Sequence, residues 1–158
     1  MFGATAVVVW PSSQGAGVAR AGQLRRQVAI TVDDLPGAIP ATPAASGDLR
    51  DLVRYNEAIP SILKAHHAPA IGFVNEKRLQ VAGERDARAA LLQRWIDAGF
   101  ELGNHTYSHA NFNQVSLQEM EDETIRGEVI TRALLTSAGK SERYFRYPYL
   151  FTGPTAEV

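Results

Sequence analysis

The chain has no cysteine. Disulfide staples and thiolate ligands are excluded, so any bound metal must be held by His, Asp, Glu or water. No apolar run is long enough to span a bilayer. Neither charge is in excess: sixteen basic residues face seventeen acidic ones, for a net charge of −1. Without a basic stripe there is no electrostatic footprint for nucleic acid. Histidine is scarce, at four residues. The remainder is ordinary for a folded protein, with 45% apolar and 21% charged residues, and the length of 158 fits about one domain.

Residues Ala4 to Trp10 form a short apolar run, followed by Pro11-Ser12-Ser13-Gln14-Gly15. Two readings stand: a secretion-signal remnant with a small-residue cleavage site near Ala19 to Ala21, or an N-terminal extension. No basic stretch precedes the apolar part. Residues 1–26 are therefore set apart, and the folded domain is expected over 27–158.

Val28 to Val32 is a β-branched, apolar run that reads as a buried strand. Leu35 to Gly47 is rich in Pro, Gly, Ala and Thr and reads as a loop. Asp48 is placed to cap a helix with apolar positions at Leu49, Leu52, Val53, Ile59, Ile62 and Leu63, which Pro60 should kink or restart. Ala70 to Val74 is a second strand, Asp86 to Ala98 a helix stopped by Gly99, and Phe100 to Asn104 a third strand. Ser116 and Glu119 have capping-box spacing at the head of a long helix to about Ser137. Tyr144 to Tyr147 reads as a fourth strand. Strand and helix alternate four times, which predicts an α/β fold with a parallel sheet and crossover helices. Four such units make half of an eight-fold barrel, so the chain is expected to be the N-terminal part of a longer domain.

Chemistry gathers at the strand ends, where α/β folds build their sites. His105 and His109, four residues apart, share a face if they lie on a helical turn. Asp33 and Asp34 follow the first strand. Neighbouring strand residues point to opposite faces, so the pair shares a site only where the strand bends, and Leu35-Pro36-Gly37 supplies a bend. Two histidines and one aspartate form a common set for a catalytic divalent metal with open positions, and the adjacent carboxylate is left to move protons. Asn75 and Glu76 follow the second strand; a polar loop is the simpler reading, a cleft wall the other. Asn104 either orients a ligand or finishes its strand. His66 and His67 lie at a helix end, where the macrodipole explains them. Trp95, Phe100 and Phe73 are expected in the core, and Glu119 to Glu123 on a solvated helix face.

Thr31-Val32-Asp33-Asp34-Leu35-Pro36 resembles the first motif of the polysaccharide deacetylases (the NodB-homology, carbohydrate esterase family 4 enzymes), usually Thr-Phe-Asp-Asp-Gly-Pro. His105-Thr106-Tyr107-Ser108-His109 is similar to their second motif, His-Ser/Thr-x-x-His, and Arg146-Tyr147-Pro148-Tyr149 to their third, Arg-x-Pro-Tyr/Phe. The resemblance runs from about Gln27 to the end of the chain. It implies a distorted (β/α) barrel, about half of it present here. It implies Asp34, His105 and His109 as metal ligands, Asp33 as general base, Arg146 as the group holding Asp33, and the Tyr149 N–H as an oxyanion donor. The metal would be zinc first, with cobalt, nickel or manganese as substitutes. The substrate would be an acetylated glycan, and the protein would work in the cell envelope or periplasm or be secreted, with the cytoplasm as the alternative. Val32 and Leu35 depart from the usual Phe and Gly. The later motifs, which carry the general acid, are not in this sequence. Two other readings remain: a non-catalytic relative that binds metal or glycan, and a non-haem iron enzyme using the same ligand types.

Overall fold

The computed structural model describes residues 4–7, 28–37 and 47–154. The small-residue site at Ala19 to Ala21 and the middle of the 35–47 loop lie outside them. The described strands form one four-stranded sheet in the order β1-β2-β3-β4. β2 (Ala29–Leu35), β3 (Ala70–Val74) and β4 (Glu101–Asn104) run parallel, as expected. β1 (Ala4–Val7) lies within the segment read as an extension or signal remnant, and pairs antiparallel with β2.

The crossovers are α1 (Leu49–Ala65) and α2 (Arg85–Asp97). Asp48 caps α1, accepting from the Arg50 N–H at 2.8 Å. The restart expected at Pro60 is not seen. The proline is buried inside one continuous helix, at the cost of one hydrogen bond to the Asn56 carbonyl. Packing of Leu52 and Leu63 holds the turns on either side of it. α2 buries Leu91, Leu92, Trp95 and Ile96 as its pattern requires, and Phe73 and Phe100 are also in the core. The Trp95 indole donates to Asn56 Oδ1 at 2.8 Å, and the Asn56 amide donates to the carbonyls of Leu52 and Pro36 at 2.8 and 2.6 Å. One buried amide thus ties both helices to the turn after Asp33-Asp34.

The long helix expected from Ser116 is two helices, α3 (Leu117–Arg126) and α4 (Val129–Ser137). The Ser116/Glu119 capping box forms at the head of α3. The break falls at Gly127, where a Cβ would lie 2.6 Å from the Thr106 carbonyl carbon and 2.7 Å from the Tyr107 nitrogen. Glycine is the weakest ordinary helix former, and only glycine lets the histidine loop approach this closely. α4 then restarts on a buried acid: Glu76 Oε1 accepts from the N–H groups of Ile130 and Thr131, both at 2.7 Å. A carboxylate there meets the positive end of the helix.

The expected fourth strand is only a single parallel bridge, Asn104 to Phe145. β4 ends at its fourth residue, Asn104, and offers no longer ladder. The segment is still tied to β4, because the Asn104 N–H donates to the Tyr144 carbonyl and the Arg146 N–H to the Asn104 carbonyl, both at 2.9 Å.

Two outcomes follow for stability. Gly127→Ala should lower the unfolding free energy by about 1–3 kcal/mol, as overpacking against rigid backbone does, read as a lower urea midpoint. Glu142 has both carboxylate oxygens buried with no hydrogen-bond partner among the described residues. Burial first, then the charges of Glu128 and Glu76, push it up to about 8 against the pull of Arg132. A carboxyl raised above its ordinary 4.5 binds its proton more tightly when folded, so stability falls as pH rises from about 4.5 to about 8. Glu142→Gln should flatten the fall in Tm across that window; parallel curves for the two proteins would remove Glu142 as its cause.

Candidate metal centre

The aspartate pair is turned by a bulge. Val32 pairs with Gly72 and Leu35 with Val74, so two residues of β2 oppose one of β3. Asp34 takes a left-handed φ of 65°, which a short polar side chain tolerates better than most. The bend therefore falls at the aspartates themselves, one step before the expected Leu35-Pro36-Gly37, because the extra residue must be absorbed inside the ladder. Both carboxylates consequently line one cavity.

The histidine motif is not a helical turn. β4 ends at Asn104, and Thr106 and His109 both have φ 65°. This loop brings the imidazoles together with ring centroids 5.0 Å apart. Its polar backbone is bonded by the side chains around it. The Asn75 amide donates to the His105 carbonyl at 2.5 Å and to that of Thr106 at 3.3 Å. Asn104 Oδ1 accepts from the Thr106 N–H at 2.7 Å, while its amide donates to the Thr124 carbonyl at 2.8 Å. Glu123 accepts from the Ser108 N–H and hydroxyl at 2.6 and 2.9 Å. Asn75 is thus more than a passive loop residue, and it also lines a cavity beside the histidine loop; Asn104 does orient the loop, and Glu123 is more than a solvated helix residue.

His105 Nδ1 lies 2.8 Å from the Arg146 carbonyl oxygen. A carbonyl only accepts, so Nδ1 carries the hydrogen and Nε2 keeps its lone pair. Burial holds this imidazole below its usual pKa, favouring the neutral form that ligates. His109 Nε2 and the Arg78 guanidinium each stand 3.6 Å from Asp34 Oδ1. Asp34, His105 and His109 offer ligand atoms all within 4.8 Å of one another. Asp34 Oδ1 is buried and accepts no hydrogen bond among the described residues. A buried, unsatisfied carboxylate oxygen facing two imidazoles fits a borderline divalent cation.

Asp33 stands beside this set. Arg146 Nη1 reaches both of its carboxylate oxygens at 3.3 Å, and the guanidinium lies 4.6 Å from the Phe73 ring centroid. Tyr149 has φ 57° and packs its ring against His109 with centroids 4.5 Å apart. Asp33, Asp34, His105, His109, Tyr147 and Tyr149 surround a cavity of about 300 Å³. The six residues singled out in the sequence (Asp33, Asp34, His105, His109, Arg146, Tyr149) therefore gather at one end of the sheet. His66 and His67 do not join them; they follow α1 at the opposite end of β3. Arg78 and Tyr55 were not foreseen. The Tyr55 phenol is raised by burial and then by Asp34 and Asp33, which marks it as a neighbour of both.

The chain matches the family model for polysaccharide deacetylase over residues 21–157. It is 28% identical over 126 residues to a peptidoglycan-N-acetylglucosamine deacetylase of Bacillus cereus, covering 79% of this chain and 37% of that protein. The solved peptidoglycan deacetylase PdaC of Bacillus subtilis is similar at a TM-score of 0.55 and 26% identity, over 80% of this chain and 50% of that one. A mutant, with restored activity, of a carbohydrate esterase family 4 pseudoenzyme from Bacillus anthracis is similar in fold at a TM-score of 0.56 and 23% identity, over 77% of this chain and 36% of that one. The chain thus spans between about a third and a half of these relatives, and its α/β architecture with a parallel sheet is part of their distorted barrel. On the family match and the shared fold together, the chain belongs to the polysaccharide deacetylase family.

Proposed function

We infer that this chain carries the metal-binding half of a hydrolase that removes acetyl groups from N-acetylated, or O-acetylated, sugars of a polysaccharide. The observation that carries the reading is the buried Asp34 Oδ1, which accepts no hydrogen bond among the described residues and faces His105 and His109, with a second carboxylate held beside it by an arginine. Asp34, His105 and His109 would hold the ion. The donor set suits zinc, and cobalt, nickel or manganese would also fit it. Bound there, a divalent cation would supply Lewis acidity, making water a nucleophile near neutral pH and polarising a carbonyl.

The chain's own residues account for the other steps. Asp33 takes the proton from the attacking water. Arg146 holds Asp33 in place, with Nη1 3.3 Å from both carboxylate oxygens in a charge-assisted contact. The Tyr149 N–H donates to the oxygen that gains charge when the carbonyl is attacked; one such donor is typically worth about 3 kcal/mol. An amine leaves poorly without a proton, and no further titratable group is assigned to that task among the described residues. For that reason a relative that binds metal or glycan without turnover remains the second reading. The relatives named for peptidoglycan favour a cell-envelope substrate, reached in the periplasm or after secretion.

Acetate release from N-acetylglucosamine oligomers, with and without added zinc or cobalt, tests the reading directly; a folded, metal-loaded protein that releases none would favour the non-catalytic one. His109→Ala should abolish stoichiometric divalent-metal binding by elemental analysis, while His66→Ala should retain it. Equal loss in both would sink the ligand assignment. Asp33→Asn should keep the metal and lower acetate release by about 10²-fold or more; near-normal turnover would remove Asp33 as the base.

A further inference from the structure

Arg78 stands at the candidate metal centre, and none of the steps above uses it. Its Nη2 lies 3.6 Å from Asp34 Oδ1, the oxygen that also has His109 Nε2 at 3.6 Å. A gap of 3.6 Å is too long for a hydrogen bond, so this contact supplies charge rather than direction. The direction of Asp34 comes from its own backbone. The bulge in β2 turns it, its φ is 65°, and its carbonyl accepts from the Gly37 N–H at 2.7 Å.

The guanidinium itself is anchored. Arg78 belongs to the 3-10 turn after β3 (Glu76–Leu79). Its backbone N–H donates to the Asn75 carbonyl at 3.0 Å, and its Nε to Asn75 Oδ1 at 3.4 Å. Its carbonyl accepts from Nη1 of the buried Arg88 at 3.1 Å. Asn75 is also the residue whose amide holds the His105 and Thr106 carbonyls. One buried side chain therefore sets the place of the histidine loop and of the positive charge together. The Arg78 and Asp34 side chains are 19% and 26% exposed, so water screens the field between them only in part.

Arg146 faces Asp33 and Arg78 faces Asp34, so two carboxylates are matched by two guanidiniums before any cation enters. We propose that Arg78 is a positioning residue that acts through Asp34: its anchored positive charge weakens cation binding at this ligand set. The assignment rests on the metal-binding reading of Asp34, His105 and His109, and adds the control of its affinity. Outer partners that raise the basicity of a ligand strengthen metal binding, and losing one typically changes affinity by about 10–100-fold. A guanidinium beside the ligand oxygen works in the opposite sense. A carboxylate shared in this way neutralises less of a divalent ion's charge, which leaves more of it to polarise a carbonyl.

The test is the dissociation constant for zinc and for cobalt, measured at low salt by competition with a chromogenic chelator, on variants whose folding is checked by circular dichroism. Arg78→Gln should bind both ions about tenfold tighter than the wild type, and the gain should shrink as ionic strength rises. Arg78→Lys keeps the charge and should stay within about threefold of the wild type, by the same scale. Arg78→Met, close to arginine in length and uncharged, repeats the measurement if Arg78→Gln does not fold. A purely structural role predicts the reverse sign, with weaker binding in every variant. Weaker or unchanged binding in the neutral variants, or an Arg78→Lys protein that behaves like Arg78→Gln, overturns the assignment. His109→Ala in the same assay keeps the two readings apart. Cation binding that needs His109 but ignores Arg78 overturns the arginine alone; a wild type that binds neither ion overturns the metal centre and the arginine together. Tighter binding in Arg78→Gln, with no acetate released by any of the proteins, supports the arginine and counts against the deacetylase.

Discussion

Two buried side-chain amides hold the candidate site in place. Asn75 and Asn104 are 1% and 3% exposed, and between them they bond the carbonyls of His105 and Thr106, the Thr106 N–H and the Thr124 carbonyl. The loop they hold has left-handed backbone at Thr106 and His109, a conformation that costs a non-glycine residue of order 1–3 kcal/mol and persists only where its surroundings dictate it. A buried network fully satisfied in one geometry leaves little room for another. Glu123 and Gly127 close the far side, one by accepting bonds and the other by lacking a side chain. Rigid imidazoles are the result, and ligand groups must be rigid to bind a cation without a large ordering cost.

Electrostatics then distinguishes two adjacent carboxylates. Asp33 is faced by Arg146, whose guanidinium spans both of its oxygens. Asp34 is faced by Arg78 and His109 on a single oxygen. The bulge in β2 makes this division feasible, because an unbroken strand would send the two side chains to opposite faces. Neighbouring acids given different surroundings can take different roles, a pattern that recurs where carboxylates do paired work.

The parallel sheet, its two crossover helices and the six residues of the site were legible because each rests on local signals: apolar runs, a capping aspartate, and short motifs at strand ends. Four things were not. The histidine pair reads equally well as a helical turn, since sequence spacing does not record the sign of φ at Thr106 and His109. The division of the 116–137 helix depends on what presses against Gly127, and a glycine inside a helical pattern is otherwise only a modest penalty. Arg78 and Glu123 sit in ordinary charged stretches, and their roles exist only once β3, β4 and α3 are brought together. In each case the missing information was tertiary. The fourth strand was misjudged for the same reason, because strand length depends on the partner as much as on propensity.

The segment from Tyr144 to Leu150 is fastened to the sheet through one bridged pair. It carries the guanidinium on Asp33, the carbonyl that sets the His105 tautomer and the backbone at Tyr149. Arg146 and Asp33 are 113 residues apart in sequence, so their contact closes one of the longest loops in the molecule and depends on distant parts being folded together. Lightly fastened segments open first when a native protein fluctuates. One local opening here would free the Asp33 carboxylate, the His105 imidazole and the backbone at Tyr149 in a single event. The candidate site would then come apart as a unit, while the core around Trp95 and Leu102 stayed closed.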